Sequence, residues 1–272
     1  MLLPLPRVRK PAGHAGDPGV VRSSRCVQTP VLAALDHGDR LCLSSPEHGS
    51  PVMTVPPEAL VVGIVGAIFG LAADRLAARW PAHEAGLVRR LDWRSAVVVV
   101  AAGATFGALA ARWSDPRDLA VLGIYAAALI VLLATDLDQR LLPDLITLPL
   151  IGYAALITLV APLLGHPLNP LLAGKSSGAV SAVAAAIAAP ALLAISDRLF
   201  RGALGRGDLK LSVSIGLMSG VSLLVYGFLV ATTLFALVVV ALVISRRITL
   251  KTAIPFGPAL IGAAIVAALV QG

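Results

Sequence analysis

The sequence predicts an all-α, polytopic membrane bundle, on three observations. Hydrophobic residues make up 57% of its 272 positions and charged residues 14%, with a mean hydropathy of +0.88. The apolar residues gather into runs of about 20, the length a helix needs to cross a hydrocarbon core of about 30 Å. The charges fall between those runs, where a membrane protein places its loops.

Residues 1–52 are different in kind. They are rich in Pro, Gly, Ser, Arg and His and lack a sustained apolar period. They read as a disordered tail or as sequence upstream of a start at Met53, so a chain beginning at Met53 is expected to insert and function. Cys26 and Cys42 lie in this tail without a Cys-x-x-Cys pair, and neither predicts a zinc site.

Eight membrane segments are expected. The first covers about 58–78, with an uncharged core from Ala59 to Ala73, and the second about 95–111. Together, residues 53–116 form an N-terminal pair around a basic loop. A six-segment core follows over 117–272. Its first segment, about 119–135, runs directly into Asp136. The next begins at Asp144, carries Pro149 in its first turns and ends near Leu164. An Ala-rich segment covers about 176–196, where small residues permit close packing in lipid. Leu211 to Ser245 is 35 residues without a charge. It is too long for one span, and Ser219-Gly220 or Tyr226-Gly227 is expected to turn it. The last segment covers about 255–271.

The loops 74–94, 136–144, 197–210 and 246–251 fall on one side and hold 13 Lys and Arg residues; the opposite loops hold three, Arg112, Arg117 and Lys175. The positive-inside rule therefore places Asp136 and Asp208 at the cytoplasmic face. A net charge of +7 is accounted for by these loops. No basic stripe or recognition motif points to nucleic acid.

Two polar insertions interrupt the apolar sequence. One is Thr135-Asp136-Leu137-Asp138-Gln139-Arg140-Leu141-Leu142-Pro143-Asp144, the other Gly205-Arg206-Gly207-Asp208-Leu209-Lys210. Acids at a membrane boundary are costly and usually functional. From the residues alone, Asp208 fits an N-cap after two flexible glycines, and Asp136 a helix-end charge. Asp144 reads as the N-cap of its span, with Thr147 three residues on, so Asn is expected to replace it. Asp138, two residues from Asp136, points elsewhere and reads as a solvated loop charge. No Ser/His/Asp set is evident, and no His follows His166.

Asp136, Leu142, Pro143, Asp144, Thr147 and Pro149 match the D-x-x-x-x-x-[IL]-P-D-x-x-T-x-P pattern of prepilin peptidases, the type IV leader peptidases. Gly205, Gly207 and Asp208 match the G-x-G-D signature of membrane aspartic proteases, and Lys210 follows as it commonly does there. Ile254-Pro255-Phe256-Gly257-Pro258 is similar to the family's late I-P-F-G-P element. The resemblance runs from about Arg117 to Gly272. It implies a catalytic pair, Asp136 and Asp208, with Asp144, Gly205, Gly207, Lys210, Pro255 and Gly257 in support, and no metal or organic cofactor. Gly205 and Gly207 would let backbone approach the substrate or the partner acid, or simply form a tight turn. Lys210 would stabilise a carboxylate or a lipid phosphate, or snorkel. Pro255 and Gly257 would lay a strand-like or broken segment near the site, though helix-start chemistry alone also accounts for Pro255.

Implied too are a prepilin or pseudopilin substrate helix presented from the bilayer, cleaved after a glycine of its short basic leader, and the inner membrane of a bacterium. The two Cys-x-x-Cys pairs that many such proteins carry, with an N-methyltransferase activity, are absent. A small ion- or proton-coupled transporter is one alternative; it would need mid-span acids and an inverted repeat. An inactive membrane assembly protein is another.

Overall fold

The computed structural model describes residues 56–80, 92–174, 177–199, 205–244 and 256–271, all within one compact unit, Thr54–Gly272. The tail 1–52 and Pro255 lie outside them. Among the described residues there is no strand. The helices are α1 (Pro57–Ala77), α2 (Trp93–Arg112), α3 (Pro116–Gln139), α4 (Asp144–Ala155), α5 (Ala161–Leu163), α6 (Gly178–Leu199), α7 (Arg206–Ile244) and α8 (Gly257–Gln271). A π-helical stretch, Leu156–Val160, joins α4 to α5, so one 20-residue span runs from Asp144 to Leu163.

Among the described residues, six helices are long and apolar enough to cross a membrane. The count of eight expected from the sequence also takes in α8, at 15 residues, and treats α7 as two. Gly220 divides α7: its φ of 65° and ψ of 179° are not helical, and glycine reaches that conformation without a Cβ penalty. Of the two turns foreseen, the break falls here and not at Gly227, which packs within the helix against the Ala263 carbonyl. The backbone groups freed by the break find side-chain partners, as buried polar groups must. Val221 N–H donates to Ser181 Oγ at 2.9 Å, and the Met218 carbonyl accepts from Asn169 Nδ2 at 3.0 Å. Before the break α7 packs on α6, with Gly216 against the Ala185 backbone; after it, Gly227 and Ala231 meet α8.

Helix α3 is the central element, touching α1, α2, α4 and α8. Burial is unbroken from Leu132 to Asp136, the pattern of a helix enclosed by others. It outruns the expected end at 135 because no breaker stands before Pro143. It ends at Gln139, with Arg140 in the left-handed region (φ 56°, ψ 34°) and its N–H bonded to the Asp136 carbonyl. That conformation costs a non-glycine residue about 1–2 kcal/mol and turns the chain sharply toward α4.

Two contacts fix α8 at its far end. Arg112 Nε donates to the Leu269 carbonyl at 3.1 Å, and Trp113 Nε1 to the Ala268 carbonyl at 3.0 Å. These carbonyls lie in the last turn, where a helix has no internal partners to offer. With its C-terminal end held there, α8 delivers Gly257 to the opposite end of the bundle, beside Asp136.

Candidate active site

Asp136 occupies the last turn of α3 and Asp208 the first turn of α7. Although 72 residues apart in the chain, the two come together at one end of the bundle. Asp136 is 5% exposed and Asp208 8%, and Asp208 is near enough to act electrostatically on Asp136. Asp136 Oδ2 and Asp208 Oδ1 are buried without a hydrogen-bond partner. Buried polar atoms are normally paired, so two orphaned carboxyl oxygens in one place single out this pocket.

The turn before α7 holds Asp208. Asp208 is not the N-cap expected from its two preceding glycines: α7 begins at Arg206, and Asp208, in the first turn, reaches back so that its Oδ2 accepts from the Gly205 N–H at 3.3 Å. Gly207 is required for close approach: a Cβ there would stand 2.6 Å from Leu142 Cβ. Gly257 does more than start a helix. A Cβ on it would meet Asp136 Oδ2 at 2.5 Å and Cγ at 2.8 Å, so its bare Cα forms one wall of the carboxyl pocket.

Two other acids also depart from expectation. Asp144 is not an N-cap. Pro143 takes that position without a side-chain cap, and Asp144, one residue into the helix, pairs with Lys210 Nζ at 2.6 and 2.7 Å. The expected interchange with Asn thereby loses its basis. Of the roles open to Lys210, the carboxylate partner is the one observed. Asp138 is not a solvated loop charge either. It lies on α3, only 13% of its side chain is exposed, and its carboxylate is 3.6 Å from Arg94 Nη1.

One buried acid carries no signal in the sequence. Asp74, in α1, is 2% exposed and accepts from Ser95 Oγ at 2.8 Å. Lying beside Arg75, it reads in sequence as part of a charged loop. It ties α1 to α2 at the same end of the bundle as the carboxyl pair. Gln139 Nε2 donates to the Ala77 carbonyl at 2.8 Å, and with the Arg94–Asp138 contact it braces the end of α3 against both N-terminal helices. Among the described residues no three His, Cys, Asp or Glu side chains gather as a metal site would require.

Six apolar helices make this a multi-pass membrane protein, and the buried acids among the described residues, Asp74, Asp136 and Asp208, lie at helix ends, not at mid-span. Residues 123–242 match the model of the type IV leader peptidase family. Over 164 residues it is 27% identical to the prepilin leader peptidase/N-methyltransferase of Bacillus subtilis (strain 168), a match covering 60% of this chain and 61% of that protein. No solved structure matches.

Proposed function

We propose that the chain is an aspartic endopeptidase that removes the leader peptide of a prepilin or pseudopilin at the cytoplasmic face of a bacterial inner membrane. The observation that carries this is the meeting of Asp136 and Asp208, each with a buried, unpartnered carboxyl oxygen. Two carboxyl groups at close range do not readily ionise together, so one is charged while the other keeps its proton. The charged acid takes a proton from water as its oxygen bonds to the scissile carbonyl carbon. The protonated acid donates to the carbonyl oxygen, giving a tetrahedral diol. Collapse restores the carbonyl, breaks the C–N bond and passes a proton to the departing amine. Neither acid has to be the nucleophile, and Gly257 leaves Asp136 room for the reacting groups.

A substrate whose apolar helix lies in the bilayer presents its leader at the polar boundary, the level of both acids. The transporter alternative wants acids along a mid-span path, and nothing here favours it. The test is to mix the purified protein with a prepilin in detergent and weigh the products. The expected result is one cut after the leader glycine, leaving a free α-amine, because the Cys-x-x-Cys pairs that accompany methylation are absent. An intact substrate contradicts the peptidase reading; a methylated terminus contradicts the restriction to cleavage.

Orientation rests on the basic bias of the loops. Leu141 and Arg206 are exposed beside the site, and His166 is exposed on the connection after α5. In a background lacking Cys26 and Cys42, Leu141→Cys and Arg206→Cys should resist a membrane-impermeant thiol reagent in intact cells, whereas His166→Cys should react. The reverse pattern would invert the topology.

A further inference from the structure

The segment that follows Asp136 is fastened to the first turn of α7 at two points. Leu142 covers Gly207, where a Cβ would come within 2.6 Å of the leucine Cβ. Just beyond, Lys210 Nζ reaches both oxygens of Asp144, at 2.6 and 2.7 Å. Gly207 and Lys210 are three residues apart and so share one face of the helix. Asp208 lies between them, turned about 100° from Gly207. The apolar contact sets how near α7 comes; a second attachment one turn on fixes the rotation of that turn about its axis. Rotation decides where Asp208 points. The bridge is open to solvent, with side-chain exposures of 37% for Lys210 and 58% for Asp144, so it adds little to global stability. Its leverage is on the geometry of one turn.

We propose that the Asp144–Lys210 bridge is a latch that aims Asp208 at Asp136, which makes both its members positioning residues. The inference rests on the dyad reading of the site.

Cleavage kinetics on membranes of matched protein content test it, with Asp208→Asn as the inactive control. Lys210→Gln and Asp144→Asn should each lower kcat about tenfold, within what a displacement below 1 Å costs, and leave KM within about twofold. Lys210→Arg, which keeps the bridge, should stay near wild type. The charge exchange Asp144→Lys with Lys210→Asp rebuilds the latch in reverse and should recover most of the lost kcat. A wild-type kcat in Lys210→Gln overturns the latch. So does a rise in KM alone in Asp144→Asn, which would make Asp144 a contact for the basic leader. A charge-exchanged protein that is present but no better than Asp144→Asn also overturns it. Should that protein fail to accumulate, the Lys210→Arg and Lys210→Gln pair decides: equal losses in both refute the latch. Absence of cleavage by the wild type overturns the peptidase reading, and the latch falls with it.

Discussion

Asp136→Asn and Asp208→Asn should each abolish leader cleavage while the protein stays in the membrane. Asn has the size of Asp but cannot exchange a proton, so either change removes a general acid or base. One such group is worth about 10²–10⁴ in rate, and the loss is larger when two groups work as a unit. The fold should tolerate both substitutions. In Asp208→Asn the amide oxygen can still accept from the Gly205 N–H, the bond that holds the turn. In Asp136→Asn the carbonyl that receives the Arg140 N–H is unchanged. Immunoblotting of membranes against cleavage of a co-expressed prepilin separates loss of chemistry from loss of protein. Cleavage near the wild-type level in either variant would remove that acid from the mechanism.

Gly257→Ala is expected to be nearly as severe, for a different reason. Gly257 begins α8 with no left-handed φ, and alanine is the better helix former, so the backbone accepts it. The fault lies only in the added methyl group, whose carbon would stand 2.5 Å from Asp136 Oδ2 and 3.2 Å from Oδ1. The carboxyl group must swing or slide away, and Thr135 and Ala134 beside it are buried. A shift of about 1 Å at a catalytic group costs about 10²-fold in rate. Normal membrane abundance, a hundredfold lower kcat and little change in KM is the expected pattern. Normal turnover would mean that Gly257 does not wall the reacting acid.

Much of this arrangement was legible in the sequence. Apolar run length located the spans, because a bilayer imposes that length on any helix crossing it. The two polar insertions marked both acids. That the acids pair was implied by the resemblance and allowed by topology; the packing that brings them together was not legible. They are 72 residues apart, and only the packing of α3, α4, α7 and α8 joins them. Gly257 was set near the site by the resemblance alone, because nothing local says whose side chain it will face. Asp144 read as a cap because a short acid before an apolar run usually is one; its partner Lys210 is 66 residues away. Asp138 and the end of α3 were readable in principle. With Arg140 the chain turns only just ahead of Pro143, the first residue unable to continue a helix, so the span could have been carried past Asp136. Asp74 was hidden by its neighbour Arg75, and only the fold reveals that it is buried against Ser95.

In the proposed mechanism Asp136 and Asp208 act as one unit. The most direct test is the single-turnover rate of prepilin cleavage by purified wild-type protein, Asp136→Asn, Asp208→Asn and the double variant at equal concentration. The double variant should be no slower than either single one, because removal of one half of a dyad already stops both proton transfers. Losses that multiply, with each single variant retaining substantial activity, would show two acids working independently and would contradict that mechanism.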